Sequence, residues 1–542
     1  QYQFEGVVTY DRSFADAHNL NIVAGISQLY IEDMDSRAEA EGASTDLVQT
    51  LNAAPLKLDA SSYRTSEALV GMFGRITYDF KKKYLLGVSL RRDGSSRFAR
   101  ENRYGIFPGA SVGWIITEED FMQGLPVLNT LKLRASMGQT GNNLVGRYAY
   151  AGEYQVGNNY YGMAGVLATE MPNRSLRWET TTQWDVGFDL GLFRGDRIRA
   201  LFDYYEKVTT DLLFNVPLPN ESGYNNIDQN VGKVKFWGYE FEIQADILKK
   251  GKFYWSADFN IGYNMNRVLE LPDNGIDKNR IGGIYDPNTM KGVGGIAEGE
   301  RMYSVLGQVT DFIIDNWEQA NNAYFDASAR GWSPLDGQKV KGRKIPGDWE
   351  YVDQNGDGVI DEYDKVVLGY LVPTTVGGFS TRFGYGNLEL HVFMDYALGH
   401  SIADATLRRS YGLVVGGNYT PLADLLTEAW REEGDIASGK ATMPRVDMQD
   451  QKQQKNYQRT TDKSVYKGDY LAVREVRLSY NAPKAWTDAL RLGSMRFTLS
   501  GQNLHYFTAY PGWQTEYSSD ANYNDNTYPI PRKIMLGIKI GF

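Results

Sequence analysis

Alternation of apolar and polar residues is the main pattern of this chain, and it predicts β-strands with one apolar face. In the last strand the even positions are apolar and the odd positions are mostly polar or small: Ile534, Leu536, Ile538, Ile540 and Phe542 against Lys533, Met535, Gly537, Lys539 and Gly541. Successive side chains of a strand point to opposite sides. A soluble protein would bury the apolar face against a second sheet, whereas an outer-membrane barrel would turn it towards lipid. The terminal Phe542 favours the barrel, since an alternating strand ending in an aromatic residue is typical of bacterial outer-membrane barrels.

An internal hairpin shows the same alternation with a strongly polar second face. Residues 239–247 place Glu240, Glu242, Gln244 and Asp246 opposite a row of apolar side chains, and residues 253–266 alternate in the same way. A row of unbalanced acidic and amide groups is costly in a dry core because buried charge needs a partner. The same row is compatible with a water-filled lumen. This pattern therefore predicts a barrel wall with lipid on one side and water on the other.

Short and long connections alternate along the chain. Short polar turns are predicted at residues 13–18, 81–83, 194–196, 249–252 and 385–387, and long insertions at residues 32–66, 92–103, 139–177, 271–373, 402–468 and 504–529. Outer-membrane barrels have short periplasmic turns and long extracellular loops. The fold class predicted is therefore all-β: an antiparallel transmembrane β-barrel of about fifteen strands, each about 9–11 residues long, with long extracellular loops.

Composition excludes several other classes. The 542 residues contain no run of about eighteen apolar residues, so no transmembrane helix is predicted. Aromatic residues make up 13% of the chain, as two interfacial girdles would require. A net charge of −10 argues against a nucleic-acid partner, and the absence of cysteine excludes thiolate metal sites. An odd strand count and a first residue that opens directly into a strand lead us to expect the C-terminal piece of a larger barrel.

Several runs of residues point to one family. These runs are LKLRASMGQTGNN (131–143), VKFWGYEFEI (234–243), YLAVREVRLSYNAP (470–483) and residues 74–121, 176–207 and 347–369. They closely resemble the SusC/RagA family of TonB-dependent outer-membrane transporters. The runs occur in family order from near the first residue to the last. The resemblance implies a 22-stranded barrel around a plug. Residues 1–542 would correspond to its C-terminal portion, with the plug and the TonB-contacting segment absent from this chain.

The resemblance also implies a function and partners. It implies a multi-pass protein of the bacterial outer membrane, in contact with its lipids, which imports oligosaccharides or oligopeptides with energy supplied through TonB. A SusD-like lipoprotein lid would cap the barrel, and a dimer of SusC–SusD pairs is the implied assembly. Two alternatives stay open: a passive porin, and a soluble calcium-dependent glycan-binding β protein. Nothing in the sequence resembles catalytic machinery, since the four His are scattered and no Ser/His/Asp order is present, so we do not expect an enzyme.

One motif predicts a metal site from spacing alone. DQNGDGVIDEYD (353–364) places oxygen ligands at Asp353, Asn355, Asp357, Val359 (through its carbonyl), Asp361 and Asp364, with Gly358 at the sharp turn. A hard cation with six to eight oxygen ligands suits this spacing, so Ca²⁺ is expected over Mg²⁺. Asp in place of Glu at the last position shortens the reach of that ligand. The alternative is a solvated acidic turn. Because the motif lies in a long insertion, the predicted role is structural.

Aromatic residues of the insertions are candidates for substrate contact. Tyr160, Tyr161, Trp513 and Tyr517 combine flat rings with neighbouring amides and hydroxyls. Sugars stack their C–H faces on rings, and peptides use the same surfaces. The alternative is that these rings only pack the insertions together.

Overall fold

The computed structural model describes residues 1–122, 124–332, 339–412, 422–446, 456–512, 515–516 and 529–542. One large antiparallel sheet contains fifteen strands, labelled here in chain order: β1 Tyr2–Phe14, β2 His18–Glu41, β3 Leu56–Phe80, β4 Tyr84–Ser95, β5 Tyr104–Ile115, β6 Leu128–Asn142, β7 Glu179–Leu192, β8 Ile198–Thr210, β9 Lys233–Lys250, β10 Phe253–Glu270, β11 Thr375–Tyr385, β12 Leu388–Leu398, β13 Tyr470–Asn481, β14 Ser494–Thr508 and β15 Lys533–Gly541. Each strand lies beside its neighbours in the chain, so the topology is a simple meander.

The sheet confirms the predicted number of strands and the predicted short turns. Strands β1 and β2 are joined at residues 15–17, β3 and β4 at residues 81–83, and β11 and β12 at residues 386–387. Residues Ala15, Asp16, Lys81 and Lys82 have positive φ, as the two central residues of a type I′ turn require. These tight turns fix the register and keep the alternation of faces in phase from strand to strand.

The chain divides into two compact units, described separately. The first contains residues 1–125, 130–188 and 205–235. Its buried apolar cluster consists of Phe98, Val145, Ala149, Leu176 and Trp178 of the connections, packed with Phe107 of β5. The indole nitrogen of Trp178 donates to the carbonyl of Arg103 at 2.9 Å, so the only polar atom of this side chain is satisfied.

The apolar face of the strands is exposed, as predicted for contact with lipid. In β15, Ile534 and Leu536 are each 79% exposed, and β1 exposes Tyr2, Phe4, Val8 and Tyr10. At the edge of short turns a row of rings runs from β1 to β5 through Phe14, His18, Phe80, Tyr84 and Trp114, with centroids 4.9–6.5 Å apart. Such a row matches the aromatic girdle expected where a barrel meets the membrane surface.

The prediction of a loop over residues 32–66 was wrong. Strands β2 and β3 contain 24 and 25 residues, and their pairing continues to Glu41 opposite Leu56. Only residues 42–55 form the connection. Where β2 and β3 extend past β1 and β4, they form a two-stranded ribbon that is largely exposed on both faces. The residues of this ribbon therefore lack the apolar–polar alternation by which strands are recognised.

The second unit contains residues 126–129, 189–204 and 236–542. Its long insertions are folded into short paired strands: 284–286 with 291–293, 304–308 with 365–370, 310–313 with 349–351, 325–326 with 359–360, 330–332 with 339–341, and 401–403 with 465–467. The remaining small sheets, 154–160 with 163–168 and 213–217 with 226–230, belong to the first unit. The helices are short: Trp317–Asn322, Ala405–Gly412, Asp424–Glu428 and Lys484–Ala489. Within the described residues, no helix is long and apolar enough to cross a membrane.

Candidate functional site

The Asp-rich segment forms an ordered turn around its carboxylates. Asp353 accepts hydrogen bonds from the amides of Gly356 at 2.7 Å and Gly358 at 2.8 Å. Asp357 accepts from the amide of Val359 at 2.8 Å, and the side chains of Asn355 and Asp357 are hydrogen-bonded to each other at 3.1 Å. Gly356 and Gly358 both have φ of +79°, which other residues rarely adopt. The glycines therefore allow the reversal that the spacing predicted.

The C-terminal end of this segment is tied by a reciprocal cap. Asp361 accepts from the amide of Tyr363 at 2.8 Å, and Asp364 accepts from the amide of Asp361 at 2.7 Å and from that of Gln354 at 2.9 Å. Asp364 is fully buried, and burial raises the pKa of its carboxyl although both amides oppose the shift. Both oxygens of the proposed last ligand are thus engaged by backbone donors.

The metal assignment stays a prediction. Within the described part of the chain, no three His, Cys, Asp or Glu side chains are grouped closely enough to hold a metal ion. The structure places the six predicted ligands on one turn and orients several of their oxygens towards backbone amides. Asp286 of the neighbouring 284–286 strand adds a further carboxylate, 3.4 Å from the amide nitrogen of Asn355. Sequence spacing did not identify Asp286, because it lies far from the motif in the chain.

Buried ionic contacts join the two insertions that flank β11 and β12. The carboxylate of Asp315 accepts from the indole of Trp430 at 3.0 Å and from the amides of Gly434, Ile436 and Ala437, each at 3.1 Å. Asp348 pairs with Arg445 at 2.7 Å, and Asp326 pairs with Arg459 at 2.6 Å. All three carboxylates are at least 95% buried. Sequence analysis missed them, since buried pairing between distant residues leaves no local pattern.

A cavity of about 790 Å³ lies between these insertions. Its wall mixes apolar side chains with hydroxyl, amide and charged groups: Ile284, Tyr303, Leu306, Gln308, Ser328, Asp361, Glu362, Lys365, Leu371, Gln458, Arg459 and Thr460. Lys365 is paired with Glu362 at 3.1 Å, and Arg459 is paired with Asp326, so the charges of the wall are largely balanced. The size and mixed lining are those of a small-ligand pocket. The Asp-rich segment forms part of its edge.

Of the four aromatic residues predicted to contact substrate, the structure describes the positions of Tyr160 and Tyr161 in the chain. Tyr160 ends the 154–160 strand, and Tyr161 follows at the tip of the hairpin with positive φ and 91% exposure. Trp513 and Tyr517 lie outside the described residues. Their role in substrate contact therefore stays a prediction.

The polar face of the sheet carries charged groups that contact one another across strands. Glu389 on β12 accepts from the hydroxyl of Tyr254 at 2.5 Å and from Arg496 at 2.7 Å. In β9, Glu240 and Glu242 border an open cavity of about 320 Å³ whose lining mixes polar and apolar residues. The acidic row predicted to face a lumen is accordingly placed on a polar surface and not in a packed core.

Comparison with known proteins identifies the family. The sequence model of the family described as "TonB dependent receptor-like, beta-barrel" matches residues 2–356. The chain belongs to this family. TonB-dependent receptor P39 of Formosa agariphila is 31% identical over the whole chain, which covers 53% of that protein. TonB-dependent receptor SusC of Bacteroides thetaiotaomicron is 27% identical over 89% of the chain, which covers 45% of SusC.

A solved structure has the same fold. The RagAB peptide transporter superposes on the whole chain with a TM-score of 0.77 at 23% identity, and the match covers 55% of that structure's chain. The chain therefore spans about half the length of the relatives that it matches. These matches confirm the SusC/RagA resemblance and the location in the outer membrane, which the family crosses by strands. They place the chain in a family of TonB-dependent receptors, which is not a family of enzymes.

Proposed function

We propose that this chain is the C-terminal wall of a 22-stranded, plugged barrel that imports oligosaccharides or oligopeptides across the outer membrane. The observation that carries the proposal is the fifteen-stranded meander with an exposed apolar face and a charged opposite face, in a chain of the TonB-dependent receptor family. The outer membrane has no ATP, so active import requires energy delivered mechanically from below. TonB, acting on the plug, would supply it.

The substrate class is the finer part of this proposal. RagAB is named a peptide transporter, and SusC is named a TonB-dependent receptor. In this chain, the charge-balanced wall of the 790 Å³ cavity suits a neutral polar ligand more than a strongly charged one. A neutral oligosaccharide is therefore the preferred substrate, and an uncharged oligopeptide is the second.

A SusD-like lipoprotein is the proposed partner, and one hairpin is suited to contact it. The strands Tyr154–Tyr160 and Met163–Ala168 expose apolar side chains on both faces, with Val156 at 73% and Val166 at 66%. Soluble loops seldom expose clustered apolar residues without a partner. We place the lid contact here, in an assembly of two SusC–SusD pairs. Replacing Val156 and Val166 by Ser should reduce co-purification of the lid, whereas Leu426→Ser, which is 69% exposed elsewhere, should not.

The deciding experiment is purification of the native, full-length complex from detergent-solubilised outer membranes. Mass spectrometry would identify every co-purifying chain and bound small molecule. A lipoprotein lid with a trapped glycan or peptide is the expected result and names the substrate class. A barrel that purifies without lid or plug, and that conducts solutes passively in planar bilayers, would instead establish the porin. Recovery of the protein from the soluble fraction without detergent would contradict both.

The Asp-rich segment is proposed to bind Ca²⁺ as a structural ion. Support comes from the ligand spacing and from the glycines that let the turn close on itself. Asp357→Asn should weaken Tb³⁺ luminescence excited through nearby aromatic residues, while Glu362→Gln, which is outside the ligand set, should not. Equal luminescence in all variants, or Tb³⁺ binding no tighter than that of unrelated acidic surface, would contradict the assignment.

A further inference from the structure

An apolar groove of about 780 Å³ lies on the outward face of the first unit. Its wall comes from five consecutive strands, β3 to β7, and includes Tyr78, Tyr84, Leu86, Val112, Leu133 and Val186. The register explains the groove: Tyr84, Trp114 and Leu133 form one row across the sheet, and Leu86, Val112 and Ala135 form the next. Ala135 is the small residue of that second row. Its short side chain leaves a depression among larger apolar neighbours.

The groove ends at a pair of oppositely charged turns. The turn after β3 contains Lys81, Lys82 and Lys83, and the connection after β5 contains Glu118, Glu119 and Asp120. Glu119 connects these turns to the groove, because it accepts from the hydroxyl of Tyr84 at 2.5 Å and from the indole of Trp114 at 3.1 Å. Lys83 lies 3.4 Å from the same carboxylate. A positive and a negative group therefore lie together at the end of an apolar channel.

The depth of the site in the membrane follows from the sheet. The turn of residues 81–83 is a short connection, and short connections lie on the periplasmic side in proteins of this class. The meander returns the connection after β5, residues 116–127, to the same edge of the sheet. The row of rings through Phe80, Tyr84 and Trp114 runs along the same edge, where a girdle marks the level of lipid headgroups. A molecule in the groove would thus have its apolar part in the hydrocarbon region and its polar part at the two turns.

We propose that this groove is a specific site for a zwitterionic phospholipid of the inner leaflet, of the phosphoethanolamine type. One acyl chain would lie over Ala135 between Leu133 and Val112. The phosphate would contact the ammonium of Lys83. This ammonium has three N–H donors, one of which is directed to Glu119 in the described part of the chain. The ammonium of the headgroup would face the acidic turn. The site rests on the outer-membrane location and is independent of what the barrel transports.

The test uses the full-length protein purified in mild detergent, with phosphatidylethanolamine as the probe in native mass spectrometry. We expect one retained lipid per barrel after extended washing. Ala135→Trp fills the groove and should lower the retained fraction about tenfold, the equivalent of the loss of one favourable side-chain contact. Lys83→Met should lower it by a smaller factor of about three to ten.

Two controls separate a site from ordinary surrounding lipid. Ala24→Leu adds bulk at another exposed position of the sheet, and Lys252→Met removes one charge from a different short turn. Both should retain the lipid. Heat-dependent gel mobility would verify folding of each variant, and Ala135→Leu replaces the Trp variant if the latter does not fold. Equal retention in the groove variants and controls would overturn the proposal, as would preferential retention of phosphatidylglycerol.

Discussion

The buried carboxylate of Asp315 gives the sharpest test of how the insertions are held together. We predict that Asp315→Ala releases the segment of residues 430–437, because four donors lose their acceptor at once. A hydrogen bond to a charged group contributes about 1.5–3 kcal/mol. Since freed amides near the surface regain water, and coupled bonds are not additive, we expect a total loss of about 3–5 kcal/mol.

The assay is amide hydrogen exchange on the full-length protein in detergent. A loss of about 3–5 kcal/mol corresponds to an increase of roughly 10²- to 5 × 10³-fold in local opening at Gly434, Ile436 and Ala437. Asp315→Asn keeps one acceptor oxygen and should have an intermediate effect. Asp311→Ala, an exposed carboxylate four residues earlier, is the matched control and should leave exchange unchanged. Exchange in Asp315→Ala within threefold of wild type would refute the claim that this carboxylate docks the segment.

The Asp315 carboxylate also predicts how the stability of this contact changes with pH. Burial alone would raise the pKa of Asp315, but the amide and indole donors outweigh it and hold the pKa below its ordinary value. The folded form therefore binds its proton less readily than the unfolded form does. The stabilisation is fully present above the ordinary pKa of an aspartate, about 3.9, and is lost as the pH falls through the lower, folded value. Protection of residues 434–437 should accordingly persist at pH 5 and weaken towards pH 3.

Three further predictions concern stability. Arg459→Met leaves the buried Asp326 without its 2.6 Å partner, and we expect it to lower the free energy of unfolding of the second unit by about 3–5 kcal/mol, measured by heat or denaturant. The control Lys463→Met removes an exposed ion pair and should cost under about 1 kcal/mol. Trp178→Ala removes the largest ring of the first unit's apolar cluster and should cost about 3–5 kcal/mol, measured as a lower Tm. An unchanged Tm would contradict the burial argument. Gly283→Ala should destabilise the protein by more than about 2 kcal/mol, because the new Cβ would lie 2.6 Å from the carbonyl oxygen of Val293. Gly299 has a similar φ but open space around it, so Gly299→Ala should show only the cost of the backbone conformation, about 1 kcal/mol.

The sheet could be predicted from the sequence because the pattern that specifies each strand lies within a few neighbouring residues. In and directly after β15, every even position from Ile534 to Phe542 is apolar. The short turns carry the Lys and Gly residues that such turns need. The ribbon formed by Glu32–Glu41 and its partner strand was missed for the same reason. Where water lies on both sides, alternation disappears although backbone pairing continues.

The positions of the insertions could be predicted from the sequence, but their fold could not. The turn of residues 353–364 was recognisable, since its ligands and glycines lie within one short segment. Asp315, Asp326 and Asp348 were not, because their partners are Trp430, Arg459 and Arg445, which lie about a hundred residues away in the chain. No periodicity links such pairs. Only their juxtaposition in the folded insertions shows that they are buried together.

The position of these ion pairs follows from the demands on a membrane-spanning sheet. In a soluble protein the apolar face of the strands forms the core, but here that face is exposed, with Ile534 and Leu536 as examples, and the other face is polar. The sheet therefore cannot bury the insertions against an apolar surface of its own. They carry small apolar clusters instead, one around Val305, Leu371 and Ala403 and another around Leu425, Ala429 and Tyr457. Clusters of this size bury too little apolar area to hold long segments in place. Buried, fully hydrogen-bonded carboxylates add orientation that apolar contacts lack, so their loss should loosen the insertions while the strands stay paired.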